Sequence, residues 1–299
     1  MAKALLHKAV GSLPWRDDVN YWLQRHVTHS LPVSRETFLQ RAENAFRHLN
    51  AFRRYSQVPL EEARFFEFGA GWDLEIPLIL AAAGVTSQVV VDRRRLLRFE
   101  LVGHNLTMLR ETSKDLEQRF GWPLRRPPSS GEEPHTALAD RGIRYVLAEA
   151  YQVPFAADSF SFIHSTWTVE HIPEDKVVSV FDECQRLLAP GGVISCVIET
   201  QDIFSNFDRS ISKYNYLRFS KRQWSWFQSC LMAQGRLRAD DFYSAFAAAG
   251  LEVVEVEEES PPEHYWRTAL EKLDLAEPFR GQPLERLAVN LINVVLRKK

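Results

Sequence analysis

The spacing of apolar residues divides the chain into a short N-terminal part and a longer second part. Near 34–54, apolar side chains recur at helical spacing and predict one amphipathic helix. Its apolar face is formed by Phe38, Ala42, Ala45, Phe46 and Leu49. From Ala63 onward, short runs rich in β-branched and aromatic residues alternate with amphipathic helices, which is typical of a parallel sheet with crossover helices. We therefore predict an N-terminal helical extension over residues 1–60 and an α/β domain over residues 61–299.

Seven runs in the second part have the length and composition of strands. They are residues 63–68, 88–92, 143–147, 159–165, 192–200, 251–257 and 287–298. Helical spacing recurs between them, around Val102, around Phe181 and over 239–249. The stretch 122–134 is rich in Pro, Ser and Gly, and we predict a surface loop there. The alternation predicts a doubly wound sheet with helices on both faces.

Composition and charge narrow the class of partner. The 299 residues are 45% hydrophobic and 25% charged, which is ordinary for a globular protein. A formal net charge of −2 gives no field for nucleic acid, so a small molecule is the expected partner. Cys184, Cys196 and Cys230 fit no metal or redox spacing, which predicts reduced thiols and a cytoplasmic protein. Nowhere do about 18 apolar residues follow one another, so we expect no membrane insertion.

The segment FFEFGAG, residues 65–71, carries the first candidate chemistry. An apolar strand closes with Glu67 and turns through Gly69 and Gly71 into a helix, which brings bare backbone N–H groups next to a ligand. Asp92 ends the next strand, 21 residues after Gly71, where a carboxylate can accept both hydroxyls of a ribose. This spacing indicates a nucleoside cofactor, either a dinucleotide or S-adenosylmethionine.

Two residues distinguish these cofactors. The dinucleotide fingerprint needs a small residue three positions after the second glycine, and this chain has Leu74 there. Glu67 would repel a pyrophosphate but attract the amino group of a methionine moiety. Both residues favour S-adenosylmethionine over NAD. The three arginines at 93–95 keep an NADP-dependent oxidoreductase open as an alternative, because such a run can hold a 2′-phosphate.

Stretches over most of residues 60–260 resemble, in order, the motifs of class I S-adenosylmethionine-dependent methyltransferases. EFGAG (67–71) resembles the first motif, and Asp92 the acidic residue of the second. AEAYQVPFAADSFSFIHSTWTVEHI (148–172) resembles the third and fourth, and CQRLLAPGGVI (184–194) the helix, turn and strand that follow. The resemblance implies S-adenosylmethionine as cofactor and a Rossmann-like, mostly parallel sheet of seven strands whose last strand is antiparallel.

The same resemblance implies a set of cofactor-binding residues. They are Glu67, Gly69, Ala70, Gly71, Asp92, Arg93, Glu149, Ala150 and Ser165. Glu67 and the glycine loop would surround the methionine portion, Asp92 would bind the ribose, and Arg93 would border the adenine. Glu149 takes the place of a more common Asp at the amino edge of the adenine. Asp73 takes the place of a third glycine, and we expect it to cap the next helix.

His171 is the predicted catalytic residue. It follows the fourth strand, on the side where an acceptor would meet the methyl group, and a histidine can remove a hydroxyl proton near neutral pH. The alternative is a structural corner in which the imidazole bonds to backbone. Ser165 is expected at the end of the same strand, under the sulfonium. His164 lies inside the strand and is expected to pack in the core.

The acceptor is expected to contact the segment after the fifth strand, where the resembling enzymes commonly build a lid. We predict a lid insertion over 203–237, whose many aromatic residues fit a lid core or a dimer contact equally well. The helix start at Arg238 lacks the usual Ser or Thr cap, so this residue or Arg236 is expected to face a phosphate or carboxylate. The candidate substrate residues are Trp167, Tyr214, Tyr216, Arg236 and Arg238.

These patterns together predict methyl transfer from S-adenosylmethionine to a small-molecule acceptor, with a hydroxyl of a secondary metabolite or sugar favoured if His171 is the base. The N-terminal extension is expected to act as a further lid. A catalytically silent partner that keeps the fold for binding or assembly is the alternative function. The sequence leaves the acceptor, the kind of nucleophile and the oligomeric state open, and a homodimer is one alternative.

Overall fold

A computed structural model describes residue 11 and residues 15–206, 208–229, 231 and 233–299. Cys230, one of the three predicted reduced thiols, lies outside the described residues. In the part of the chain that is described, no helix combines the length and the apolar character needed to cross a membrane.

Seven strands form one sheet in the order β3-β2-β1-β4-β5-β7-β6. In chain order, β1 to β7 are Arg64–Phe68, Ser87–Asp92, Ile143–Leu147, Phe160–Thr166, Leu188–Glu199, Leu251–Glu259 and Leu291–Lys298. Strands β1 to β5 pair in parallel, and β7 lies antiparallel between β5 and β6. The predicted mostly parallel sheet with an antiparallel last strand is confirmed.

Ten α-helices lie within the described residues. In chain order, α1 to α10 are Arg16–His26, Arg35–Tyr55, Glu75–Ala83, Phe99–Phe120, Pro134–Asp140, Val177–Leu187, Lys221–Trp224, Ala239–Ala248, Glu263–Glu271 and Leu284–Ala288. Two strands begin four residues away from their predicted starts. The fifth strand begins earlier, at Leu188. The last begins later, at Leu291, because α10 occupies the first part of that run.

Successive residues of each strand point to opposite faces of the sheet and build two separate cores. Phe65 of β1 belongs to the core that includes α2, α3 and α4. Its neighbour Phe66 belongs to the core that includes α6 and α8. Strands buried on both faces read as continuous apolar runs, and this explains why the central strands show no polar alternation.

Helix α2 is packed onto the sheet and is part of the body of the fold. Ser34 begins it, and its hydroxyl accepts the backbone N–H three residues later at 3.2 Å. The ring of Phe52 lies 5.0 Å from that of Phe65 and 5.6 Å from that of Phe162. Helix α1, in contrast, has no buried residue. The predicted extension 1–60 therefore contains one helix of the core and one peripheral helix, and the division into domains stays a prediction.

The segment after β5 forms a third apolar cluster with α9 and α10. Its buried members are Tyr214, Tyr216, Leu217, Trp224, Trp266, Leu270, Ala276, Phe279, Leu287 and Ala288. Most of the predicted lid insertion is thus anchored to the C-terminal part of the chain, and only its ends approach the crevice described next.

Candidate active site

The candidate site lies at the carboxyl ends of β1, β2 and β4. The strand order reverses between β1 and β4, and open α/β sheets bind ligands in the crevice at such a reversal. The loop after β1 enters this crevice, where the N–H groups of Gly69 and Ala70 donate to Val91 O at 2.9 and 3.2 Å. At its end, Asp73 Oδ1 accepts the N–H of Glu75 at 3.4 Å, which is a long version of the predicted cap.

The two glycines of this loop have different neighbours. A Cβ at Gly69 would lie 2.0 Å from Thr168 Oγ1, so the absence of a side chain lets the loop after β4 pack directly on it. A Cβ at Gly71 would meet nothing within 4 Å among the described residues. Both have a positive φ, +87° and +69°, a backbone conformation that residues other than glycine rarely adopt. Gly71 therefore exposes bare backbone to a ligand, whereas Gly69 serves the packing of the two loops.

The carboxylate of Asp92 is fixed by backbone groups on both sides. Its Oδ2 accepts the N–H of Gly71 at 3.1 Å, and its Oδ1 accepts the N–H of Arg94 at 2.9 Å. Each oxygen keeps a further lone pair, so the group can still accept one hydroxyl on each side. Burial raises the pKa of Asp92, and these backbone hydrogen bonds and the neighbouring arginines counteract that rise.

A cavity of about 510 Å³, which we call the large cavity, opens beside Asp92. Eight of the predicted site residues line it, namely Gly69, Gly71, Asp92, Arg93, Glu149, Ala150, Trp167 and His171. The apolar side chains of Ile172, Ile203 and Leu231 form another part of its wall. The predicted ribose, adenine and catalytic residues, which lie between residues 92 and 171 of the sequence, are thus brought to one cavity.

A second cavity of about 250 Å³, the small cavity, lies on the other side of the glycine loop. Glu67 and Ala70 line it, together with residues that the sequence did not indicate, namely Gln24, Arg41, Asp73, Glu75 and Thr166. The two cavities share Gly69, Gly71, Trp72, Trp167 and Thr168. The two cavities therefore adjoin at the glycine loop and the loop after β4.

Buried acids give the small cavity its electrostatic character. Glu67 is 4% exposed and Glu75 is 3% exposed. Glu67 Oε2 and both carboxyl oxygens of Glu75 have no hydrogen-bond partner among the described residues. Burial and the nearby Asp73 raise the pKa of Glu67 well above its ordinary value and that of Glu75 to about 9. Arg41 Nη1 is the neighbouring cation, 3.8 Å from Glu75 and 3.3 Å from Asp73. The raised pKa values mean that these carboxyls hold their protons more strongly than free ones, and a cation bound beside them would favour the ionised form.

His171 is oriented by one hydrogen bond to backbone. Its Nδ1 lies 2.6 Å from Ala233 O, and a carbonyl oxygen only accepts, so Nδ1 carries the hydrogen. In the neutral ring, Nε2 then keeps its lone pair. Burial lowers the pKa of His171, which keeps the ring neutral near pH 7. The backbone bond of the structural interpretation is present and uses Nδ1, whereas the role of Nε2 as a base stays a prediction.

Comparison with known families identifies the domain. A family described as a methyltransferase domain matches residues 129–196, which include β3, β4 and the Val-Glu-His turn. Over these residues the chain is similar to a methyltransferase domain. The assignment agrees with the strand order and with the glycine loop and Asp92, which lie outside the matched residues.

A curated relative supports the same assignment over part of the chain. Demethylmenaquinone methyltransferase of Geobacillus stearothermophilus is 28% identical over 138 residues, or 42% of this chain. The match spans 56% of that relative, somewhat more than half of its length.

Solved structures with comparable architecture have low sequence identity. A putative sarcosine dimethylglycine methyltransferase from Galdieria sulphuraria is 17% identical, with a TM-score of 0.49 and coverage of 87% of this chain and 86% of that chain. Geranyl diphosphate C-methyltransferase from Streptomyces coelicolor A3(2) is 10% identical, with a TM-score of 0.48 and coverage of 86% and 77%.

Five expected site residues lie away from both cavities of the methyltransferase domain. Ser165 is buried, and its Oγ donates to Phe68 O at 3.0 Å, so it ties β4 to β1. Tyr214 donates to Ala288 O at 3.0 Å and Tyr216 to Thr200 O at 2.6 Å, both inside the third apolar cluster. The expectation that these three residues contact cofactor or substrate is corrected, because their polar atoms are already used in buried hydrogen bonds.

The two arginines expected at the substrate are also structural. Arg238 is 2% exposed, and its guanidinium donates to the carbonyls of Thr200, Leu287 and Val289 and to the hydroxyl of Tyr216. Arg236 is 5% exposed and donates to the carbonyl of Phe219. The missing Ser or Thr cap has a local explanation, since Asp241 accepts the Arg238 N–H at 2.8 Å. Of the five candidate substrate residues, Trp167 alone lines the large cavity.

The sequence contained usable signals for the residues that were missed. Glu75 stands at the start of the otherwise apolar helix EIPLILAAA, and a buried acid in such a helix calls for a partner. His48 lies on the apolar face of α2, next to Leu49. Arg41 and Thr166 carry no such signal, because only the packing of α2 against β4 brings them to the small cavity.

Proposed function

We propose that the chain transfers a methyl group from S-adenosylmethionine to a small-molecule acceptor. The observation that supports it most directly is the pair of cavities that meet over the glycine loop. One cavity presents the carboxylate of Asp92, and the other presents buried carboxyl oxygens without partners. S-adenosylmethionine carries a ribose at one end and an ammonium group at the other. When bound, it supplies an electrophilic methyl group on a sulfonium.

The large cavity fits the adenosine end of that cofactor. Asp92 would accept the ribose hydroxyls, and Gly71 would let the backbone approach the ligand without a Cβ. Glu149 and Ala150 line the same cavity and would border the adenine, with Arg93 beside them. These roles follow the predicted assignments, and the shared cavity supports them.

The small cavity fits the amino acid end. An ammonium group would give Glu67 and Glu75 the cationic hydrogen-bond donor that their buried oxygens lack. Arg41 is one-third exposed, at 33%, and would turn its guanidinium to the carboxylate of the ligand. An ion pair and several hydrogen bonds would then hold the end of the cofactor that does not react.

His171 would act as the general base for a hydroxyl acceptor. Methyl transfer is an in-line displacement, so the protein must hold the nucleophile within about 3–3.5 Å of the methyl carbon and remove its proton. The lone pair on Nε2 of the neutral ring suits that step, because the bond to Ala233 fixes the tautomer. The proton would move from the acceptor hydroxyl to Nε2 as the carbon–oxygen bond forms and the carbon–sulfur bond breaks, with S-adenosylhomocysteine as the leaving group.

The wall of the large cavity supports an acceptor with an apolar part. Ile203, Leu231 and Ala233 come from the two ends of the predicted lid insertion and line that wall. We therefore keep the proposal that this insertion shapes the acceptor site, although its aromatic centre is structural. A hydroxyl of a secondary metabolite or sugar remains the proposed nucleophile.

Two other functions fit fewer observations. An NADP-dependent oxidoreductase would need the arginine run free for a phosphate, but Arg94 pairs with Asp17 at 2.9 Å. A catalytically silent partner would not need His171, which lines the large cavity, to be held in one tautomer.

Transfer of a labelled methyl group from S-adenosylmethionine tests the proposal. The panel of acceptors contains phenols, alcohols, amines and demethylmenaquinone, the compound in the name of the Geobacillus relative. The expected result is label in a hydroxyl acceptor and equimolar S-adenosylhomocysteine. Label in an amine or in the quinone would keep methyl transfer but overturn the hydroxyl assignment. Binding of the cofactor without transfer to any acceptor would favour the silent partner.

A further inference from the structure

A buried histidine lies between the end of β4 and the middle of β5, on the face of the sheet that α2 covers. His48 of α2 is 0% exposed. Its Nε2 lies 2.8 Å from Thr166 Oγ1, and its Nδ1 lies 2.8 Å from Ser195 Oγ. Thr166 ends β4 and lines the small cavity, whereas Ser195 lies in the middle of β5. One imidazole therefore spans two strands, and one of its partners faces the proposed cofactor.

We propose that His48 is a positioning residue, which fixes the hydroxyl of Thr166 so that its lone pairs face the amino acid end of the cofactor. The inference rests on the proposed function and concerns a residue that contacts no ligand itself. The two short hydrogen bonds and the complete burial of the ring carry it.

The ring has a single hydrogen to share between its two partners. Burial lowers the pKa of His48 to about 3, so the imidazole is neutral, with one N–H and one acceptor nitrogen. If Nε2 carried the hydrogen, Thr166 would accept it and would point its own hydrogen into the small cavity. If Nδ1 carries the hydrogen and donates to Ser195, Thr166 donates to Nε2 and its lone pairs face the cavity.

The second arrangement matches the charges of the small cavity. With a cationic group bound in the cavity, Glu67 Oε2 and both oxygens of Glu75, which have no partner among the described residues, would all act as acceptors. A further lone pair from Thr166 adds to that set, whereas a hydroxyl hydrogen would oppose it. We therefore assign the hydrogen of His48 to Nδ1.

The same histidine supports the loop that covers the glycines. The backbone oxygen of Thr166 accepts from Thr168 Oγ1 at 3.1 Å, and Thr168 packs directly against Gly69. Fixing Thr166 therefore fixes the contact between the two loops at the point where the cavities meet.

Two ligands separate this role from a merely structural one. S-adenosylhomocysteine has the amino acid end, and 5′-methylthioadenosine has the same adenosine but no amino acid. Calorimetry would measure both ligands on the unaltered protein, on His48→Leu and on the shape-matched Thr166→Val. The expected result is about 10- to 100-fold weaker binding of S-adenosylhomocysteine in each variant, with 5′-methylthioadenosine unchanged. His48→Gln, whose amide oxygen can still accept from Thr166, should recover part of the loss.

The outcomes keep the two proposals apart. Equal weakening of both ligands, or no change in either, would overturn the role of His48. Failure of the unaltered protein to bind either ligand would instead overturn the proposed function. If His48→Leu does not fold, Thr166→Val alone gives the same selective readout.

Nitrogen-15 NMR of histidine-labelled, ligand-free protein tests the tautomer without any ligand. The expected spectrum has a pyrrole-like Nδ1 and a pyridine-like Nε2 for His48. The two signals are assigned by their absence from the spectrum of His48→Gln. A pyrrole-like Nε2, or two protonated nitrogens, would overturn the assignment.

Discussion

Single residues in this domain obtain their chemistry from burial and from one or two fixed hydrogen bonds. Glu67, Gly71, Asp92 and His171 could be predicted from the sequence, because each stands at a set position after a strand. Thr166 could not, because its role depends on a hydrogen bond to His48, 118 residues away in the chain. A sequence motif identifies residues within one segment of the chain, whereas the contact between Thr166 and His48 forms only when α2 packs on the sheet.

Replacing His171 with alanine should lower the methyl transfer rate by about 10²–10⁴-fold and leave the affinity for S-adenosylhomocysteine unchanged. The physical reason is the loss of Nε2 as the proton acceptor. Because burial lowers the pKa of His171 below its ordinary 6.5, the neutral, active ring persists as the pH falls. The rate of the unaltered protein should therefore stay level from pH 8 to below 6.5, as measured by initial rates in overlapping buffers.

The exposed His135 provides the control for this prediction, since His135→Ala leaves the large cavity intact. Near-full activity in His171→Ala would contradict the base role. An acidic limb centred above 6.5 would contradict the buried environment assigned to the ring.

Replacing Glu75 with glutamine should stabilise the fold in a pH-dependent way. In the folded state the pKa of Glu75 is raised to about 9 from an ordinary 4.5. Between these values the folded carboxyl keeps its proton and the unfolded one loses it, so its contribution to stability falls as pH rises. The melting temperature of Glu75→Gln should equal that of the unaltered protein near pH 4.5 and exceed it increasingly up to pH 9.

Thermal unfolding at several pH values measures this difference, with the exposed Glu277→Gln as the matched control. A difference that is constant with pH would show that Glu75 is ionised in the fold and paired with Arg41.

At the scale of elements, α1 is held to the site by side-chain contacts alone. It has no buried residue. Tyr21 stacks on Trp72 of the glycine loop at 5.7 Å and donates to Glu100 at 2.8 Å. Asp17 pairs with Arg94, which follows Asp92 in the chain. These contacts support the proposal that α1 acts as a lid.

The lid proposal predicts that Tyr21→Ala loosens α1 without harming the core. Loss of the stacked ring should speed dissociation of S-adenosylhomocysteine by about 3- to 10-fold. Amide hydrogen exchange over Arg16–His26 should rise as well. Stopped-flow fluorescence and exchange mass spectrometry measure the two effects. Trp22→Ala, which removes a ring that is 55% exposed on the same helix, is the control. Equal effects of both variants would contradict a specific role of the Tyr21 ring in holding α1 to the glycine loop.

The segment after β5 shows an element that sequence patterns could not assign. Its aromatic residues fit an acceptor site and a structural core equally well, because both need large apolar rings. The structure places Tyr214 and Tyr216 in a core that is organised around the buried Arg238. The strands were predicted better, since burial on both faces leaves a continuous apolar run that few other structures share.

Arg238→Met should lower the free energy of unfolding by about 3 kcal/mol or more. The change removes the charged donor of the carbonyls of Thr200, Leu287 and Val289, and a hydrogen bond to a charged group contributes about 1.5–3 kcal/mol. Thr200 and Val289 keep a second donor each, so the Leu287 carbonyl is affected most. Denaturant unfolding measures the loss, and the exposed Arg218→Met is the control. Cofactor binding by folded Arg238→Met should be unchanged, and a selective loss of acceptor binding would restore its predicted substrate role.

At the scale of the whole molecule, the fold positions the site through the reversal of strand order between β1 and β4. The alternation of strands and helices predicted a doubly wound sheet, and the family resemblance implied its seven strands with an antiparallel last strand. The sequence could not predict that α2 forms part of the wall of the small cavity, because only the packed fold brings Arg41 of α2 next to Glu75 of α3. The proposed cofactor therefore depends on residues from both the motif-bearing domain and the N-terminal part.

Calorimetric titration of the purified protein with S-adenosylhomocysteine, beside NADPH, tests the central claim most directly. The account predicts micromolar binding of S-adenosylhomocysteine and none of NADPH. It also predicts at least a 10- to 100-fold loss in Asp92→Ala, because two charge-assisted hydrogen bonds to the ribose disappear. Binding of NADPH alone, or binding of S-adenosylhomocysteine that Asp92→Ala leaves unchanged, would contradict it.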